Sequence, residues 1–375
     1  MTETATPPRP KIIIPSQPKK LGEGVYSQVF AAEYNDGHES SPIALKIIRR
    51  SSLKEEKEQK AENECIEECT NIEIEALSAL QKSPHVIQLK EVFSPTDKNS
   101  PNMVMEKPPR TLVYKRPLSI TIGPAPKIYE EILHNSTCLA LERMDTSLEE
   151  ILYRKKEFFD MNQIREWIRQ ILRALHDCHE KGIIHRDIKP GNLLLSQDRS
   201  HIKLSDFGLS KLIHNRAKRV KREHEEEEEE EEESDTPQMV SVMYRSPDIL
   251  SGNTEYSYAT DIWSLGVVAG ELFRILDWQE FRHGYRGHLL FNDIVADKMG
   301  RTPSQSPEQT MLAIATLAPV QHWTSDNAGW FSRAFQIKYP FASKFLFDTL
   351  KWKAEDRPTA QDLLQSHVFL RNSTL

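Results

Sequence analysis

One stretch limits this chain more tightly than any other: His185-Arg186-Asp187-Ile188-Lys189-Pro190-Gly191-Asn192-Leu193, followed further on by Asp206-Phe207-Gly208. An aspartate, a lysine two positions on and an asparagine five positions on can converge within one loop. A second aspartate on a following turn can then share a magnesium ion with that asparagine, because hard Mg²⁺ prefers oxygen ligands. The spacing is the message, since it places two carboxylates, an amide and an ammonium within reach of one another.

A second constellation lies near the start, Gly22-Glu23-Gly24-Val25-Tyr26-Ser27-Gln28-Val29. Glycines let a backbone turn close to a phosphate without Cβ clashes and turn N–H groups toward its oxygens. The third position holds Ser27 where glycine is usual, so the pattern alone is weak. Its context strengthens it: Leu21 precedes, Val29-Phe30 follow, and then comes Ile43-Ala44-Leu45-Lys46. A lysine inside so apolar a strand needs an anion, because burying an unpaired ammonium is costly.

The surrounding texture supplies the elements. Residues 1–18 carry prolines at 7, 8, 10, 15 and 18 and read as a disordered tail. Short strands are expected from Leu21 to about Glu91, then a helix over Glu62–Leu80 with Ile66, Cys69, Ile72 or Glu73, Leu77 and Leu80 at helical spacing. Residues 94–127, rich in proline and charge, read as an inserted loop, and Cys138–Met144 returns to strand-like apolarity. Asp160 opens a helix with Gln163 as its capping-box partner. Ile164, Trp167, Ile168, Ile171, Leu172 and Leu175 form its apolar stripe, and Gly182 stops it. Ile262–Phe273 reads as a buried helix.

Charge enters where function classes must be excluded. The formal net charge is −7 over 375 residues, but the run Glu225–Glu233 accounts for it, and the remainder is close to neutral. No basic face for nucleic acid is indicated. The four cysteines, 65, 69, 138 and 178, show neither paired CxxC nor zinc spacing, which points to a reducing compartment. No 18-residue apolar run is present, and the polar, proline-rich residues 1–18 make secretion an unexpected fate.

Taken together, the glycine loop, Ile-Ala-Leu-Lys, His-Arg-Asp…Asn and Asp-Phe-Gly, in this order, resemble the signature set of eukaryotic protein kinases over roughly Leu21–Leu370. The resemblance implies an α+β, two-lobed kinase fold: a small, mainly antiparallel N-lobe (about 19–143, with the 94–127 insertion) with one key helix, and a larger, mainly helical C-lobe. The C-lobe would span about 145–371 and carry an acidic activation-segment insertion at 215–235. It further implies roles. Asp187 is the catalytic aspartate and Lys189 steadies the transferred phosphoryl group, a lysine typical of serine/threonine kinases. Asn192 and Asp206 ligate Mg²⁺. Lys46 contacts the α- and β-phosphates of ATP and pairs with Glu73, or alternatively Glu75. Leu141 stands as gatekeeper, the Glu142 and Met144 backbones bind adenine, and Leu21, Gly22, Gly24, Val29, Ala44 and Leu194 enclose the nucleotide. Asp248 would pair with Arg357, and Asp261 would brace the catalytic loop.

Met243-Tyr244-Arg245-Ser246-Pro247-Asp248, Leu290-Phe291 and the 308–323 segment are similar to cyclin-dependent and MAP kinases, with a kinase that activates other cyclin-dependent kinases as one candidate. Thr236 stands where that group carries its activating phosphothreonine. Of the three receptor arginines only Arg186 is present, since Ile72 and Lys211 hold the other positions. The glutamate run, next to Arg186 and the basic residues 216–222, could stand in for that phosphate, against a bland reading as solvated insertion. Tyr26 matches the inhibitory tyrosine of cyclin-dependent kinases. Expected partners are protein substrates, including another kinase's activation loop. A cyclin-like subunit is in doubt, because the helix before Leu77 lacks the cyclin-binding sequence. The expected compartment is intracellular, nucleus or cytoplasm. The competing class is a catalytically inactive kinase-fold scaffold, usually marked by loss of the lysine or either aspartate, all three of which are present.

Overall fold

The computed structural model of the chain describes residues 11–15, 17–36, 38–51, 56–94, 102–105, 136–213, 244–250, 256–282, 331–351 and 353–371. Thr236, Glu225–Glu233, the basic residues 216–222, Ser241, Met243, Leu290-Phe291, the 308–323 segment and residues 106–127 lie outside the described residues. The chain is α+β and divides into two compact units, Met1–Gln81 with Ile87–Met144, and Lys82–Val86 with Asp145–Leu375.

The first unit is built on strands β1 (Lys11–Ile14), β2 (Lys20–Glu23), β3 (Ser27–Asn35), β4 (Ser40–Ile48), β5 (Leu89–Phe93), β6 (Asn102–Met105) and β7 (Thr137–Glu142). They lie in the order β5-β7-β4-β3-β1-β6, with β2 also on β3. All pairings are antiparallel except β1 with β6. Two-residue alternation along β4 sends Ile43, Leu45 and Ile47 into a core with Phe30, Ala32, Phe93 and Cys138. Ala44, Lys46 and Ile48 are thereby turned to the opposite face. There Ile48 meets Ile66 and Leu139 beneath helix α1 (Glu56–Ala79). The helix starts six residues earlier than its apolar period foretold. It buries Ile66, Thr70, Glu73, Ala76 and Leu77 while Cys65 and Glu75 stay exposed.

The first described segment departs from expectation. Residues 11–14, expected to belong to a disordered tail, form β1, paired with β3, and Ile12 and Ile14 are fully buried in the sheet core. Three consecutive isoleucines are stiff, β-branched residues that suit a pleated surface, and the flanking prolines bound that run rather than dissolve it. Within the 94–127 insertion, residues 102–105 supply β6, parallel to β1.

The second unit is mainly helical. Short strands β8 (Thr146–Ser147), β10 (Leu193–Leu195) and β11 (Ile202–Leu204) form one sheet, and β9 (Ile183–Ile184) pairs β12 (Lys211–Leu212). Its described helices are α2 (Met161–Glu180), α3 (Pro247–Leu250), α4 (Ala259–Phe281), α5 (Arg333–Lys338), α6 (Pro340–Thr349), α7 (Ala360–Ser366) and α8 (Val368–Arg371), besides single turns. Asp160 caps α2 by accepting from Gln163 N at 2.8 Å. The expected reciprocal bond is not the one formed, since the Gln163 amide donates to Arg199 O at 3.4 Å. The α2 stripe from Ile164 to Leu175 is buried throughout, and Gly182, at φ 71°, follows its end. Helix α4 is buried almost all round. At Gly266 a Cβ would stand 2.6 Å from Thr349 Oγ1 of α6, so only glycine permits that approach. Residues 82–86 join this unit through Ser83 Oγ, which donates to Asp177 Oδ2 at 2.5 Å, and Leu204 N, which donates to His85 O at 2.9 Å. Among the described residues no helix is long and apolar enough to cross a membrane.

Candidate active site

In the first unit the β2–β3 turn is closed by Gly24 N donating to Ser27 O at 2.8 Å. A Cβ on Gly24 would meet Ser27 Oγ at 3.0 Å, so the serine at the third position makes the second glycine less replaceable. The β2–β3 register shifts between Lys20 and Gly22, leaving Leu21 at the irregularity and Gly22 opposite Val29. Val29 in turn faces Lys46, and Ala44 faces Leu141. The exposed tip is Val25. Tyr26 packs against the Ile48–Ile66–Leu139 cluster, and burial together with a hydrogen bond to Glu62 raises its hydroxyl pKa.

Lys46 meets the anion its strand demanded. Its Nζ lies 2.8 and 2.7 Å from the two Glu73 carboxylate oxygens, with 11% and 3% of the two side chains exposed. Glu75, the alternative, is exposed. A polar clasp holds the outer half of α1 that apolar periodicity could not foresee. Ser51 N donates to Asn63 Oδ1 at 2.8 Å, Gln59 donates to Ser51 O at 3.0 Å, and Ser51 Oγ donates to Glu62. At the end of β7, Glu142 N donates to Gln88 O at 2.8 Å, which ties the strand end to the residue before β5. Met144 follows, half-buried, as the last residue of this unit.

In the second unit the loop after β9 brings Asp187, Lys189 and Asn192 together. Lys189 Nζ lies 2.6 Å from Asp187 Oδ2. Asn192 Nδ2 donates to both Asp187 O and Asp187 Oδ2 at 2.8 Å. His185 is buried, accepts at Nδ1 from Asp187 N at 3.3 Å, and its Nε2 lies 3.1 Å from Ser205 O. Ser205 N and Oγ both donate to Asn192 O at 3.0 Å, which ties the turn before Asp206 to the loop. Leu194, on β10, is half-buried opposite Ser147 and Lys203.

Asp261 of α4 is the hub. It is fully buried and accepts from His185 N at 3.0 Å and Arg186 N at 2.9 Å, with His179 Nε2 at 3.0 Å. Burial alone would push its carboxyl up. The His179 hydrogen bond, the charges of His179 and His185 and the loop N–H groups outweigh burial, and its pKa is held below the ordinary value. Arg186 adopts a left-handed φ of 69° and places its guanidinium 3.8 Å over the ring of Tyr256, a residue that no sequence pattern marks. Asp206 has φ 64° and is exposed, whereas Phe207 beside it is buried, edge-on to His185 at 4.7 Å.

The donor set suits magnesium. With its amide nitrogen committed to Asp187, Asn192 offers its oxygen, and Asp206 offers a carboxylate. Both are oxygen donors of the type that a hard Mg²⁺ would prefer. Among the described residues no cluster of three or more His, Cys, Asp or Glu is arranged to hold a metal.

The expected Asp248–Arg357 pair forms at 2.6 Å. Arg357 also donates to Lys351 O at 2.7 Å and Ala259 O at 3.1 Å and lies 5.1 Å over the Trp263 ring. Tyr244 OH donates to the buried Glu271, and Ser264 Oγ donates to Tyr244 O at 2.7 Å, which anchors the start of this segment to α4.

Similar proteins point the same way. Residues 16–369 match the protein kinase domain. The serine/threonine-protein kinase KIN28 of Saccharomyces cerevisiae is 25% identical over 94% of this chain and 92% of its own length. The cell division control protein 2 homolog 2 of Trypanosoma brucei brucei is 34% identical over 65% of this chain and 64% of that protein. A KIN28 homolog of Encephalitozoon cuniculi is 35% identical over a shorter stretch, 39% of this chain and 40% of that protein. With the domain match running almost end to end over these two sets of residues, the chain belongs to the protein kinase domain family, among relatives named as cyclin-dependent and cell-division kinases.

Proposed function

We propose that this chain is a cyclin-dependent-kinase-like serine/threonine protein kinase, transferring the γ-phosphoryl group of ATP to protein hydroxyls in cell-cycle or transcription-linked signalling. The observation that carries this reading is the Asp187–Lys189–Asn192 cluster, with an ammonium 2.6 Å from the carboxylate and an amide donating to it. Asp187 orients the acceptor hydroxyl and takes its proton as the oxygen–phosphorus bond forms. Lys189 offsets charge on the group in flight while the bond from the γ-phosphorus to the β–γ bridging oxygen breaks, leaving ADP. Lys46, stationed by Glu73, holds the α- and β-phosphates, and the Gly22–Gly24 turn supplies N–H groups. Leu21, Val29, Ala44 and Leu194 enclose adenine, which pairs with the Glu142 carbonyl and Met144 N–H. Asn192 and Asp206 are the residues that would hold Mg²⁺, which would supply Lewis-acid stabilisation of the phosphate charge.

The substrates in this reading are proteins, with another kinase's activation loop as one class, and the compartment is intracellular. No membrane partner and no direct contact with nucleic acid are expected in this reading. The test is phosphate transfer from ATP–Mg²⁺ by the purified chain onto a peptide array and an activation-loop peptide, with and without a cyclin, against Asp187→Asn as blank. Transfer above the blank onto serine or threonine is expected. ATP binding with no transfer under any condition would overturn the reading in favour of a scaffold.

A further inference from the structure

The backbone of Arg186 is fixed from one side and its side chain from another. Its N–H donates to Asp261 Oδ1 at 2.9 Å, and its φ of 69° is one a non-glycine residue keeps only when the surroundings over-determine it. Its guanidinium lies 3.8 Å above the Tyr256 ring, well inside the range at which a ring face attracts a cation. Lys211 Nζ lies 5.5 Å from the centroid of the same ring, and the pairing of Lys211 with Ile184 places it close to Arg186 in the fold. One aromatic ring therefore lies within reach of two cations that would otherwise repel. Asp187 is the next residue along the chain, so whatever stations Arg186 also sets the start of the catalytic loop. In the sequence, Ile72 and Lys211 stand at the two positions where the resemblance implies further arginines.

We propose that Tyr256 is a positioning residue: its ring stations the Arg186 guanidinium and, through it, the loop that presents Asp187. The planar guanidinium stacks on the ring in a way an ammonium does not, so the ring face is the working part and the hydroxyl is dispensable. This inference rests on the kinase reading above.

The test compares Tyr256→Leu, Tyr256→Phe, Arg186→Met and the double variant Tyr256→Leu/Arg186→Met. Tyr256→Leu should lower kcat about tenfold with KM for ATP within about twofold, while Tyr256→Phe restores kcat. The double variant should be no worse than Arg186→Met alone, because both changes remove one interaction. Additive losses, or a Tyr256→Phe as damaged as Tyr256→Leu, would overturn the proposal in favour of simple packing or a hydroxyl role. A second readout is independent of catalysis: the Arg186 side-chain N–H resonance, shifted by the ring current in the unaltered protein, should move toward the ordinary arginine position in Tyr256→Leu. If the unaltered protein transfers no phosphate but this shift is present, the kinase reading fails and the placement of Arg186 by Tyr256 stands. If the resonance does not move, the proposal fails whatever the activity.

Discussion

The Lys46–Glu73 pair allows the sharpest test of the site, because a second glutamate two residues on supplies an internal control. Both Glu73 oxygens lie within 2.8 Å of Lys46 Nζ, and neither side chain is more than 11% exposed. Glu73→Gln keeps the shape and one acceptor oxygen but removes the charge and aims an amide N–H₂ at the ammonium. A hydrogen bond to a charged group contributes roughly 1.5–3 kcal/mol. Since each 1.36 kcal/mol is tenfold in rate, the expected fall in kcat/KM for ATP is about 10- to 150-fold. Glu75→Gln, at an exposed position, should stay within about twofold. Steady-state transfer to a peptide acceptor reads both, with thermal midpoints confirming that each variant is folded. Equal effects from the two substitutions, or a Glu73→Gln protein within about twofold of the original, would refute the assignment of Glu73 as the residue that stations Lys46.

Three further outcomes are expected. Arg357→Met removes the guanidinium that meets Asp248 and donates to Lys351 O and Ala259 O, a loss of about 3–5 kcal/mol for a pair this buried, read as a clear drop in the thermal midpoint. Gly266→Ala forces a methyl to within 2.6 Å of Thr349 Oγ1 and 2.8 Å of Leu350 Cδ2, and should destabilise by about 1–3 kcal/mol in chemical denaturation. Asp261 is held below its ordinary 3.8, so its contribution is present above that value and lost as pH falls through the lower folded one. The gap in unfolding midpoint between the original protein and Asp261→Asn should therefore be full near neutral pH and shrink as pH falls below about 4. A gap independent of pH would contradict that sign.

What could be read in advance followed the kind of signal each residue carries. Lys46 announced a buried anion because an ammonium in an apolar strand cannot stand alone, and helical spacing favoured Glu73 over Glu75. The α2 stripe and the apolar α4 were legible because burial imposes a period on apolar side chains. The Asp248–Arg357 pair came only from the resemblance, as its partners are distant in sequence and local pattern contains nothing of their meeting. The clasp of Ser51, Gln59, Glu62 and Asn63 left no trace, because polar side chains on a helix face look solvated until their partner is known. Tyr256 was passed over for the same reason: a single aromatic five residues before Asp261 has no period. With β1, proline content outweighed a run of three isoleucines, and the run was the better guide.

Strand β1 also has a consequence for the order of events during synthesis. It is hydrogen-bonded on one edge to β3, within the first 35 residues, and on the other to β6 at 102–105. A nascent chain can form the first pairing early, but the parallel one must wait until helix α1 and β5 have both been made. Until then β1 is an open edge, with Ile12 and Ile14 only partly covered, and open edges recruit other strands. Late arrival of residues 102–105 thus leaves β1 with an unpaired edge throughout the interval of synthesis between β1 and β6. A chain begun at residue 16, where the domain match starts, would never form that edge at all.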